Sequence, residues 1–147
     1  MLTQPKKKDM MAGKKISGIK IHAGVDILGF PNALHVTTAN ITDRNGALEM
    51  FQKFASGLDS IIKVLCDGGY TGENFENAVK TLIDAVVEVA KRSELHKFAV
   101  IPKRWIVERS FGWLDHFRLL WKNCERKLHT THQMVTIAFI SILMRRY

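Results

Sequence analysis

Ile61-Ile62-Lys63-Val64-Leu65-Cys66-Asp67-Gly68-Gly69-Tyr70-Thr71-Gly72 is the stretch that decides how this chain is read. Five apolar residues among the first six predict a strand buried on both faces. The run stops at a carboxylate followed by two glycines. In open α/β sheets ligands sit beyond the carboxyl ends of strands, and paired glycines clear side chains from the approach to Asp67. The plainer use of such an aspartate is a helix cap or an Asx-turn.

Working outward, Gly72 to Leu82 predicts a short helix whose first turns carry Glu73 and Glu76, favourable against the helix dipole. Ala85 to Ala90 predicts a second buried strand. Upstream, Ile19, Ile21, Ala23 and Val25 alternate with Lys20, His22, Gly24 and Asp26, the pattern of a half-buried strand with a polar outer face. Leu28-Gly29-Phe30-Pro31-Asn32 is turn-like and Ala33 to Ala39 is strand-like, so the two form a hairpin with Asp26 at its tip. Asn40 to Gly46 is rich in capping residues. Leu48, Phe51, Phe54 or Ala55, and Leu58 then follow helical spacing, with Gly57 a stop. Strand, strand, helix, strand, helix, strand is the order of a mixed sheet with helical crossovers, α/β in class. Residues 1–14 show no apolar periodicity and read as a flexible basic arm ahead of a domain over 15–147.

After a basic connection over Lys91 to Ile101, with an extended piece at Phe98 to Ile101, Pro102 opens the longest predicted helix. Ile106, Val107, Phe111, Trp113, Leu114, Phe117, Leu120 and Trp121 fill one broad arc around Ser110, which is a core face. Arg104, Glu108, Gly112 and Asp115 form a row beside that arc, so Glu108 stands at the border of the buried face. It can be held by packing while reaching a cleft, or pair on the surface with Arg104 or Arg109. Met134 to Leu143 is apolar nearly all round and must be covered.

The chain has 147 residues, 46% hydrophobic and 24% charged, ordinary for one globular core. Its longest uncharged apolar-rich run, Thr130 to Met144, has only 15 residues and is too short to span a membrane. No signal-like segment follows the basic start, and Cys66 and Cys124 make no disulfide framework, so a cytoplasmic location is expected. The net charge of +8 is unevenly spread: +5 over residues 1–22, −5 over 26–90, +6 over 91–127. Basic flanks suit phosphates, and an acidic centre suits divalent metal. Cys124, His129 and His132 are irregularly spaced and lack a Cys-x-x-Cys partner, which argues against zinc. Trp105, Trp113 and Trp121 recur every eight residues. The latter two lie on the apolar arc, as core residues rather than base-stacking platforms.

Asp67 before Gly-Gly-Tyr-x-Gly, and Glu108 forty-one residues on in Arg104-Trp105-Ile106-Val107-Glu108-Arg109-Ser110-Phe111-Gly112-Trp113-Leu114, resembles the DDE transposases of bacterial insertion sequences. Gly13 to Lys20, Val25 to Gly29, Thr38 to Arg44 and Trp121 to Arg126 look like that family too. The resemblance implies a ribonuclease-H-like fold in which three carboxylates converge on two divalent metals, Mg²⁺ or Mn²⁺ in its place. It makes Asp67 the second ligand and Glu108 the third, with the ends of the element's DNA as partner. Lys14, Lys15, Lys20, Lys103, Arg104 and Arg109 are the candidate DNA contacts, which would place the chain at the nucleoid. The first carboxylate of relatives lies on the first strand, in a region that would fall before Met1, so an incomplete first strand and an enzyme inactive alone are expected. Asp26 is the available substitute, although it matches a hairpin-tip position. In the related pattern Tyr-x-x-Arg-x-x-x-Glu-x6-Lys, Arg104 and Glu108 match while Ile101 and Asp115 replace Tyr and Lys. Expected partners are a second copy or an upstream-frame transposase polypeptide. The alternative is a non-catalytic DNA-binding or dimerising remnant that interferes with the full-length enzyme.

Overall fold

The computed structural model describes residues 18–89, 104–117, 120, 125 and 127–145, together with the backbone of residues 2–7. Five strands form one sheet: β1 (Leu2–Lys7), β2 (Ile19–Val25), β3 (Pro31–Thr38), β4 (Lys63–Cys66) and β5 (Val86–Val89). Their order is β3-β2-β1-β4-β5, with β1, β2 and β3 an antiparallel meander and β4 and β5 parallel to β1. Four helices are described: α1 (Asp43–Phe54), α2 (Glu73–Ile83), α3 (Arg104–Asp115) and α4 (Leu128–Met144).

The helices cover the two faces of the sheet in separate cores. On one side Ala47, Met50 and Phe51 of α1 and Phe75, Val79 and Ile83 of α2 pack with Val64 and Cys66. On the other, Ile106, Val107, Phe111 and Leu114 of α3 and Val135, Ala138, Phe139 and Ile142 of α4 pack with Ala23, Val25 and Leu34. From β2 to β5 the mixed α/β order expected from periodicity is the one observed, with β1 as an additional strand ahead of it. The apolar arc of the long helix is buried at Ile106, Val107, Phe111 and Leu114 and partly buried at Trp113, Phe117 and Leu120, while Trp121 lies outside the described residues; α3 stops at Asp115 and the chain turns through Leu114–Phe117.

Three expectations need correction. Residues 1–14 read as a flexible arm, yet Leu2–Lys7 form β1 in the middle of the sheet, paired with β2 over all six residues and with β4 at Leu2 and Thr3. Strand pairing from both sides supplies what the segment's own sequence lacks. Pro5 falls past the last β4 partner, so its missing N–H affects the ladder on one side at most. Second, the polar row of β2 is not an outer face. Lys20 and His22 are buried beneath α1. Lys20 Nζ donates to the Ile41 carbonyl at 2.6 Å and to Asp43 at 2.9 Å, and His22 Nε2 lies 2.9 Å from Thr37 Oγ1. Third, β4 begins at Lys63 rather than Ile61, and Ile62 is exposed, because the Ile61 N–H is used in a turn to Leu58.

Candidate active site

Asp67 follows the last residue of β4 and caps the one-turn 3-10 helix Gly68–Tyr70. Its Oδ1 accepts the Gly69 N–H at 3.0 Å, and the carboxylate is half-buried. The Asx-turn weighed from sequence is therefore present, and it engages Oδ1. A Cβ added at Gly68 would meet nothing within 4 Å, and at Gly69 only Asp67 itself. Packing does not demand these glycines. Arg44, near the start of α1, donates from Nε to the Gly69 carbonyl at 3.0 Å and so ties the loop to the helix.

Glu108 is exposed on α3, on the row bordering the buried arc as expected. That helix packs on β1 and β2, the two strands next in order after β4. α3 is fixed against the β2–β3 turn by its two following residues. Ser110 Oγ lies 2.7 Å from the Gly29 carbonyl and 2.9 Å from the Ile106 carbonyl, while Arg109 Nη2 donates to the Leu28 carbonyl at 2.5 Å. Gly29 is required at the point of contact: its φ is +87°, and a Cβ would lie 2.9 Å from Ser110 Oγ.

Asp26 has a different occupation. Its Oδ1 accepts the N–H groups of Leu28 at 2.8 Å and Phe30 at 2.9 Å, which organise the hairpin turn. The register sets it three residue rows and two strands from Asp67, about 14 Å between Cα positions at ordinary strand spacings. β1, the strand between them, contains no Asp or Glu in Leu2–Lys7. Gln4 follows Thr3, which pairs Cys66, so Gln4 occupies the row beside Asp67. Among the described residues no group of three or more His, Cys, Asp or Glu is placed to hold a metal ion.

Of the candidate DNA contacts, Lys20 is committed to Asp43 and the Ile41 carbonyl beneath α1, and Arg109 to the hairpin turn. Lys14, Lys15 and Lys103 lie outside the described residues, as does the side chain of Arg104. Sequence reasoning missed Arg44. Its signal was slight, a basic residue in an otherwise acidic and polar capping segment.

A central meander continued by two parallel strands, with helices on both faces, defines a ribonuclease-H-like α/β fold. The solved catalytic core domain of BIV integrase has it too: the TM-score is 0.57 at 10% identity, over 95% of this chain and 80% of that one. The profile of the family described as Transposase DDE domain matches residues 2–144, and this chain belongs to that family. The proposed transposase for insertion sequence element IS402 of Burkholderia cepacia is 32% identical over 119 residues. That match covers 75% of this chain and 55% of the relative, so the chain spans about half the relative's length. Among the described residues no helix is long and apolar enough to cross a membrane.

Proposed function

We propose that this chain is the catalytic-core portion of a DNA transposase, built to bind the ends of an element and, when its carboxylate set is complete, to cleave and join phosphodiesters. Asp67 and Glu108 would hold divalent metal, Mg²⁺ or Mn²⁺, for which their hard carboxylate oxygens are suited. Metal held there would supply activation of an attacking hydroxyl and stabilisation of a leaving oxygen. The chain's own part is to keep Asp67 at an uncluttered strand end, to anchor that loop through Arg44, and to seat α3 so that Glu108 stands outside the core. The observation that carries the reading is Asp67 at the end of β4, beside a central β1, within a family-matched fold.

The same strand favours a second reading for the chain as it stands. β1 holds no carboxylate in Leu2–Lys7, so among the described residues the proposed site has two acidic ligands where the family pattern implies three, and DNA binding without cleavage is the expected behaviour. A misplaced or missing group at a site of this kind can cost about 100-fold or more in rate. Strand nicking on element-end DNA with Mn²⁺ tests both. The wild-type chain should bind in a salt-sensitive manner with little nicking. Leu2→Asp or Gln4→Asp, which put a carboxylate on β1 in the row of Leu65 or of Asp67, should raise nicking, and Asp67→Asn or Glu108→Gln should remove the gain. Nicking by the wild type that survives Asp67→Asn and Glu108→Gln together would overturn the assignment.

A further inference from the structure

We propose that Trp105 is a stacking platform for an unpaired nucleobase at a DNA end, placed one helical turn before Glu108. The proposal rests on the DNA-binding reading above. Trp113 shares its helix and packs against the core, but Trp105 remains 51% exposed. Its ring is nonetheless held. The Arg109 guanidinium lies 4.6 Å from the Trp105 ring centroid and 5.0 Å from that of Trp113, a cation between two indoles. That same guanidinium is fixed by the Leu28 carbonyl.

An exposed indole clamped in this way loses little freedom on binding, so a flat partner laid on its open side gains most of the stacking energy. Residues i and i+3 are neighbours on a helix surface, which puts the ring beside the carboxylate that would hold metal at a phosphodiester. Ile27 and Leu28, at 69% and 58% exposed, leave the turn held by Arg109 apolar as well. Charge selects the occupant. The segment 91–127 that contains α3 carries a balance of +6, and a DNA end brings both phosphates to meet it and a base with a free π-face. A neutral protein surface brings no run of phosphates to meet that charge.

The test uses the full chain and DNA duplexes of one sequence, either fully paired or carrying a short unpaired end that includes 2-aminopurine. Binding is read by anisotropy and stacking by 2-aminopurine quenching. The wild type should prefer the unpaired end and quench it. Trp105→Ala should lose about tenfold in affinity for that DNA, and the quenching with it, while its affinity for paired DNA stays as before; Trp105→Phe should keep most of both. Circular dichroism should show Trp105→Ala folded, because the ring lies outside both cores. Equal binding of both duplexes by wild type and Trp105→Ala, with unchanged quenching, overturns the platform and leaves the DNA reading standing. Failure of the wild type to bind either duplex overturns both.

Discussion

His22 shows how a single position can be set by neighbours far away in sequence. Its side chain is buried under α1, where a Cβ on Gly46 would fall 2.2 Å from its Nε2. Only glycine lets the helix cross there. Burial, and then the nearby His35, push the imidazole down from 6.5 to about 4, partly offset by Asp43 and Glu49. The ring is thus neutral in the folded chain, while the unfolded chain takes up a proton near pH 6.5. The unfolded state binds more protons between pH 6.5 and about 4, so stability is full above 6.5 and falls as pH drops through that window. The contribution is about 3 kcal/mol at most, from the size of the shift. Thermal midpoints measured from pH 7 to 4.5 should fall, and His22→Gln should flatten the slope. Gly46→Ala should destabilise the fold by about 1–3 kcal/mol or more at neutral pH, read by urea unfolding.

At the scale of elements, the β2–β3 turn and α3 work as one unit. Asp26 organises the turn through two backbone N–H groups, and the turn's Leu28 and Gly29 carbonyls meet Arg109 and Ser110. Asp26→Ala should therefore lower stability by about 1–2 kcal/mol while leaving Mn²⁺ affinity unchanged, a combination a metal ligand would not produce. Gly29→Ala should destabilise more, through both its positive φ and the approach of Ser110 Oγ. The elements whose periodicity is strong were legible: the alternation of β2, the arc of α3 and the spacing of α1 follow directly from burying one face. What misled was polarity inside the fold. Lys20 and His22 read as solvent-facing because alternation cannot tell water from a covering helix that satisfies them with Asp43 and Thr37. Leu2–Lys7 read as an arm because a strand paired on both sides draws its order from its neighbours.

For the whole molecule, the sheet's order decides which of the separate signals become neighbours. Asp67 at the end of β4 lies far in sequence from Gln4 on β1 and from Glu108 on α3. Only the parallel insertion of β1 beside β4 makes the first two neighbours in register. Asp67 and Glu108 drew notice as candidate ligands through their settings, a strand end with glycines and a border row on an apolar helix, and the structure puts each in that setting. The contacts of Arg44 and Trp105 were not legible, since a hydrogen bond to a loop carbonyl and a cation between two rings leave no periodic trace. Net charge of +8 with an acidic centre is a whole-molecule property too, and it predicts DNA affinity that falls steeply with added salt.

The central claim is that Asp67 and Glu108 serve one metal site. Mn²⁺ titration of the full chain, followed by electron paramagnetic resonance, tests it most directly. The account predicts one class of sites that is weakened about tenfold or more by Asp67→Asn and by Glu108→Gln alike, with no further loss in the double variant. Unchanged Mn²⁺ binding in both single variants, or losses that simply add, would contradict it.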